Sequence, residues 1–240
     1  MHKVRMVNIE FDQILSPHDI KKFRSAVIEN TNRKSDLFHN HNEKGNSLKR
    51  YPLIQYKTIN NKAAIICLDN GTDDIHYLLQ QKELSLRIGA KKMKFSIDRI
   101  NMYYFNFQTW KKSYRYHIRN WIPLNQNNYQ RFVALQENSK EEKEFLEQVL
   151  AGHILGMATG IGWQTEERIT VKIEEIKSRS SVKFKNINFI GFKLIFNVNV
   201  SLPNYIGLGK GTSLGYGLVR KLNERRIHLP ISNSRNDQNG

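Results

Sequence analysis

Cysteine is almost missing from this chain of 240 residues: Cys67 stands alone. A disulfide framework within one chain and a cysteine-rich zinc site are therefore excluded. Long apolar runs are missing too. The longest strictly apolar stretch, Ala63 to Leu68, is far shorter than the roughly 18–20 residues that span a bilayer. Carboxylates are scarce, with 22 Asp and Glu against 38 Lys and Arg, a formal net charge of +16. Such a balance points to a polyanionic partner, most simply nucleic acid. An anionic membrane surface is the competing partner, but no long basic amphipathic helix supports it. The first residues, MHKVRMVNIEFDQ, carry Glu10 and Asp12 where a secretory signal needs an apolar stretch. A cytoplasmic, reducing location is expected. Aromatic and β-branched residues occur along nearly the whole length, which excludes uniform disorder.

What is present is a succession of short periodic segments. Lys3 to Phe11 reads as a strand, with Arg5, Val7, Ile9 and Phe11 on one face and Val4 and Met6 on the other. Ser16, Pro17 and Asp19 then form a helix start, followed by Ile20, Phe23 and Val27 at helical spacing. Asn30 to Ser47 is polar and reads as a long loop. Leu48 to Ile59 and Lys62 to Asp69 read as paired strands around an Asn60-Asn61 turn. Asp73 can cap a short helix, and Glu83 to Ile88 alternates as a strand. The order is β-α-β-β-α-β, the ferredoxin-like arrangement.

A second unit repeats much of that order. Tyr114 to Ile122 alternates, Ser139 with Glu142 suggests a capping box, and Phe145, Leu146, Val149, Leu150, Ile154 and Leu155 follow at helical spacing. Glycines at 152, 156, 160 and 162 should weaken the end of that helix. Ile169 to Ile176, Val182 to Ile187 and Phe192 to Val200 read as strands, with a short final strand at Leu218 to Leu222. The expected fold class is α+β: two tandem ferredoxin-like (RRM-like) domains, the second with a glycine-rich loop in place of its second helix. The expected bounds are 1–95, 96–225 and a polar tail at 226–240. Element order alone carries this duplication, since the halves share no sequence repeat.

The glycine-rich segment is IGLGKGTSLGYGLVRKL, with Gly207, Gly209, Gly211, Gly215 and Gly217 inside eleven residues. Average usage would place roughly 0.8 glycine there. Dense glycine lets backbone N–H groups approach a phosphate, and Lys210 adds charge. Gly211 follows Lys210 where a Walker A loop needs Ser or Thr, and the Gly-x-Gly-x-x-Gly spacing of dinucleotide sites does not occur. The competing reading is a tight strand connection that needs positive φ angles and touches no ligand.

Phe38-His39-Asn40-His41 lies in the first polar loop, with Lys49, Arg50, Tyr51 and Lys57 just after it. Histidines titrate near neutral pH and suit acid–base chemistry. Two solvated loop histidines are the plain alternative. A metal site that adds Asp36 and Glu43 is a third reading, with no compelling ligand set behind it. His117 shares a strand face with Arg115 and Arg119, either an RNA-facing strip or a solvated edge. Trp110, Tyr114 and Tyr116 interleave with Lys111 and Lys112, where they can stack on bases or pack in the core. His153, near an apolar helix, reads as a packing residue.

GLGKGTSLGYG at 207–217 and LFHNHNEKGNSLKRYPLIQYK at 37–57 together resemble the CRISPR-associated endoribonucleases that cut repeat RNA into guides, within the repeat-associated mysterious protein (RAMP) superfamily. The paired histidines match one subtype. The resemblance implies two ferredoxin-like domains and a metal-independent cut. In that chemistry the RNA 2′-hydroxyl attacks the adjacent phosphate and leaves a 2′,3′-cyclic phosphate and a 5′-hydroxyl. It implies catalytic roles for His41, His39 and Tyr51. Lys49, Arg50, Lys57, Arg115, Arg119, Gly209, Lys210, Gly211, Thr212 and Ser213 are then the RNA-binding set. No cofactor and no metal are expected. The implied partner is CRISPR repeat RNA in precursor transcripts, with a homodimer and effector-complex subunits left open. A non-catalytic RNA-binding subunit of the same superfamily is the alternative.

Overall fold

Alternation at the N-terminus becomes strand β1 (His2–Ile14), buried on both of its faces. A computed structural model of the chain describes residues 1–31, 36–39, 50–80, 84–135 and 139–222. Ser16 Oγ accepts from the His18 N–H, Pro17–Asp19 make a single 3-10 turn, and helix α1 (Ile20–Asn30) follows. A one-turn α2 (Asp36–His39) precedes β2 (Ile54–Ile59) and β3 (Lys62–Leu68). Asn60 and Asn61 both take positive φ, as a two-residue hairpin turn requires.

The short helix expected after Asp73 is two single turns, α3 (Gly71–Asp74) and α4 (His76–Leu79). Strand β4 (Leu84–Ile88) departs from expectation: among the described residues it pairs only with β5 (Lys91–Phe95), as a separate hairpin. The fourth strand of the first sheet is instead β6 (Ile97–Phe107), in the order β2-β3-β1-β6. Apolar residues on both of its faces, Met102 and Tyr104 exposed and Phe105 and Phe107 turned inward, hide its strand period, which the sequence reading missed. The first sheet thus extends past the expected boundary between 95 and 96.

Strand β7 (Thr109–Trp121) opens the second unit, and helices α5 (Gln126–Ala134) and α6 (Ser139–Gly160) follow. Glu142 is buried and pairs with Arg179, so its side chain is committed away from a capping box. α6 runs through Gly152 and Gly156 to Gly160. Strands read as three pieces at 169–200 are one long hairpin of β8 (Val171–Phe184) and β9 (Ile187–Val200), turning at Lys185 and Asn186 with positive φ. With β10 (Leu218–Lys221) the order is β10-β7-β9-β8. Between β9 and β10 the only regular element is the 3-10 turn Thr212–Leu214. Both sheets have the ferredoxin-like strand order, and the fold is mixed α+β with two sheet-dominated domains.

Two apolar cores follow from the alternation. Val7, Ile9 and Phe11 of β1 meet Ile20, Phe23 and Val27 of α1, with Phe11, Phe23, Phe95 and Tyr56 in ring contact at 5.4–5.9 Å. The other β1 face, Val4 and Met6, joins Ala64, Ile66 and Leu68 in a core shared with the second unit's Ile118, Leu194, Phe196 and Met157. That face welds the two units together. Burial of this kind contributes on the order of 1.5–3 kcal/mol per large side chain. No helix among the described residues is long and apolar enough to cross a membrane.

Candidate functional site

Three β2-side residues reach across the junction to the glycine loop. The Tyr51 hydroxyl donates to the Gly207 carbonyl at 2.7 Å and accepts from Gln55 Nε2 at 2.9 Å. Gln55 Oε1 accepts from the Gly207 N–H at 3.1 Å. Lys57, fully buried, donates from Nζ to the Thr212 carbonyl at 2.8 Å. Gln55 and Lys57 lie on the face of β2 opposite Tyr56, which packs toward α1. The strand that the histidine loop leads into therefore clasps the loop of the other unit.

Burial dominates the protonation of this cluster. It pushes the Tyr51 hydroxyl well above its usual value, partly countered by the Gln55 hydrogen bond. Desolvation pulls the Lys57 ammonium down to about 7. A lysine held this way is either a neutral donor or a costly buried cation near neutral pH. Its proton goes to a backbone carbonyl, and at 0% exposure it presents no surface to solvent.

The loop itself is braced from below. Leu208 N–H donates to Gly217 O, Gly217 N–H to Asn120 O, and Lys210 N–H to Ile122 O, at 2.9, 2.9 and 3.2 Å. Thr212, buried, donates from Oγ1 to Gly209 O at 2.6 Å. Gly209, Gly211, Gly215 and Gly217 all have positive φ, the conformational demand of a tight connection. A Cβ at Gly209 would press on the Trp121 indole, whose Nε1 donates to His153 Nδ1 at 3.2 Å. His153 thus packs as expected, and desolvation drops its imidazole to about 4. Lys210 and Ser213 are half-buried, and Lys210 Nζ lies 5.0 Å above the Phe189 ring.

The remaining expected residues divide. The backbone of His39 closes α2, while its side chain, His41 and Lys49 lie outside the described residues. Arg50 is exposed. Arg115 is taken by a bidentate pair with Glu174 at 2.6 and 2.7 Å, whereas Arg119 is exposed on the outer sheet face. Tyr116 is core, its hydroxyl bonded to Leu202. Gln55 was missed. Its signal was available: two polar residues, Gln55 and Lys57, on one face of an otherwise buried strand.

Two family models match in tandem, the Cas6b N-terminal domain over residues 2–106 and the Cas6b C-terminal domain over 108–222. The chain belongs to the Cas6b family. Like other Cas6b proteins it has an N-terminal and a C-terminal domain, and the models meet next to the β6–β7 junction. A crystal structure of Cas6b superposes with TM-score 0.83 at 28% identity, over 92% of this chain and all of that one. A crystal structure of the CRISPR RNA processing endoribonuclease Cas6b gives 0.69 at 26%, with the same coverage. An uncharacterized protein of Methanocaldococcus jannaschii is 39% identical over 107 residues, 45% of this chain and 71% of that one. A type IV Cas6 crRNA endonuclease at 12% identity and TM-score 0.58 shares the fold.

Proposed function

We propose that this Cas6b protein is an endoribonuclease that cuts CRISPR repeat RNA within precursor transcripts to release guide RNAs. The likeness to a Cas6b described as a CRISPR RNA processing endoribonuclease supports the reading. The observation that carries it is the clasp: Tyr51, Gln55 and Lys57, which follow His39 and His41 in the chain, hold the glycine loop.

In the proposed reaction the 2′-hydroxyl upstream of the cut attacks the adjacent phosphorus. A new O–P bond forms, the bond to the 5′-oxygen breaks, and a 2′,3′-cyclic phosphate and a 5′-hydroxyl result. His41, with His39 as partner or substitute, takes the 2′-hydroxyl proton or returns one to the leaving oxygen. An internal nucleophile needs no metal-bound water, so the cut runs without metal. Lys49 and Arg50 offset phosphate charge, and the glycine loop with Lys210 and Ser213 holds backbone. Tyr51 and Lys57 act as positioning residues, because their polar ends are spent on Gly207 and Thr212.

The test is cleavage of a repeat RNA from the same genome in EDTA, beside a matched RNA with one 2′-deoxy residue at the cut. The expected result is cutting of the first alone, and its loss in the His39→Ala/His41→Ala protein. Tight binding with no cutting would replace this reading with a non-catalytic subunit. Cutting restored only by added metal would overturn the mechanism.

A further inference from the structure

One face of the second sheet is buried with α6, through Ile118, Leu194, Phe196 and Val198. Among the described residues the opposite face has no helix over it, and it is basic. Arg220, His117 and Ile195 form one row across β10, β7 and β9. Arg119 and Lys193 lie on the same face of their strands, two residues along. The cations here are not equivalent. On β8, Glu174 takes Arg115 and Glu175 takes Lys177, the latter at 2.6 Å. Arg119, Lys193 and Arg220 are exposed and form no salt bridge with any described residue.

At the centre, His117 is half-buried with Nε2 enclosed and unbonded. Burial and then Lys193, Arg119, Arg220 and Lys177 lower its affinity for a proton. Glu175, in register with Ile195, is the carboxylate across the row, and it is committed to Lys177. A cluster of like charges around an unsatisfied donor or acceptor is costly on its own. An anion laid over it would satisfy Arg119, Lys193 and Arg220 and offset the positive field on His117.

The strip also has a direction. Arg119 pairs with Leu218, the first residue of β10 after the glycine loop, and its neighbour Asn120 holds the Gly217 N–H. A strand bound at the loop meets Arg119 next. The strip carries no exposed Phe, Tyr or Trp, and its exposed groups are the cations Arg119, Lys193 and Arg220. Contacts from such cations to phosphates position the strand and carry no sequence information.

We propose that this open face, Arg119, Lys193 and Arg220 around His117, binds the phosphodiester backbone of the RNA where it runs on from the glycine loop. The inference rests on the RNA-processing reading above and adds a second grip outside the cutting site.

The experiment uses the full chain and a repeat RNA from the same genome, with affinity measured by fluorescence anisotropy across a salt series. In the Arg119→Gln/Lys193→Gln/Arg220→Gln protein, the slope of log affinity against log salt should flatten by about 2–3, since each lost phosphate contact removes roughly 0.7–0.9. A second readout needs no substitution: saturating RNA should shift the His117 ring resonances of the unaltered protein and raise the pH at which they titrate. An unchanged slope in a folded variant, or His117 resonances that RNA leaves in place, overturns the strip while the RNA-processing reading stands. A variant that binds RNA normally but loses an acidic protein partner also overturns it. Wild-type protein that neither binds nor cuts repeat RNA removes both.

Discussion

Tyr51 and Gly207, 156 positions apart in sequence, meet through a 2.7 Å hydrogen bond from the phenol to the carbonyl. The bond ties the approach to β2 in the first unit to the glycine loop of the second. It gives Tyr51, for which the motif suggests either orienting or donating a proton, a contact that braces the loop. The two roles part experimentally.

Replacing Tyr51 with Phe deletes the donor to Gly207 and the acceptor for Gln55. The expected cost is about 1–3 kcal/mol, a fall in Tm of several degrees by calorimetry. As a strut, Tyr51→Phe should weaken RNA binding and leave the shape of the pH–rate profile alone. A profile that loses one limb would identify Tyr51 as a proton donor.

Lys57 has a distinct pH signature. Its folded pKa, about 7, lies below the 10.5 of the free side chain, so between those values the unfolded chain holds a proton that the folded chain does not. Stability from this group therefore rises with pH across that window and is lowest below pH 7. The Lys57→Met protein should lack that rise. Melting curves at pH 7 and pH 9.5 on both proteins check it; equal pH dependence in the two would refute the assignment.

Legibility in the sequence followed local periodicity. β1, the Asn60-Asn61 turn and the β9 face from Phe192 to Val200 all carry period-two or turn chemistry and were readable. β6 was not, because apolar residues fall on both faces, with Ile100, Met102 and Tyr104 exposed and Tyr103, Phe105 and Phe107 turned inward, so no single face stands out. β4 alternates well yet pairs outside the main sheet, since alternation says nothing about which partner a strand takes. At the site, the glycine loop announced itself by composition. That Tyr51 and Lys57 point at the loop rather than at solvent depends on contacts across about 155 residues, which no local pattern encodes.

Two glycine substitutions should act in opposite directions. At Gly217, φ is +63° and a Cβ would collide with the Leu208 carbonyl, so Gly217→Ala should destabilise by several kcal/mol or abolish folding. Gly152 lies inside α6 with open space where a Cβ would go, so Gly152→Ala should stabilise by about 1 kcal/mol. Denaturant midpoints of the two proteins measured together test both signs.

Acid should loosen the same loop from beneath. His153 accepts from the Trp121 indole at Nδ1, which requires the neutral ring, and desolvation holds its pKa at about 4 against 6.5 for a free histidine. Between those values the unfolded chain binds a proton that the folded chain refuses, so stability falls as pH drops from 6.5 to 4, by at most about 3 kcal/mol. A His153→Phe protein keeps the ring but cannot titrate. It should lose the Trp121 bond, melt lower at pH 7.5, and show a shallower decline toward pH 4.5. Because Trp121 packs under Gly209, its fluorescence should report the transition in the parent protein. A variant whose acid decline matches the parent's would place the sensitivity elsewhere.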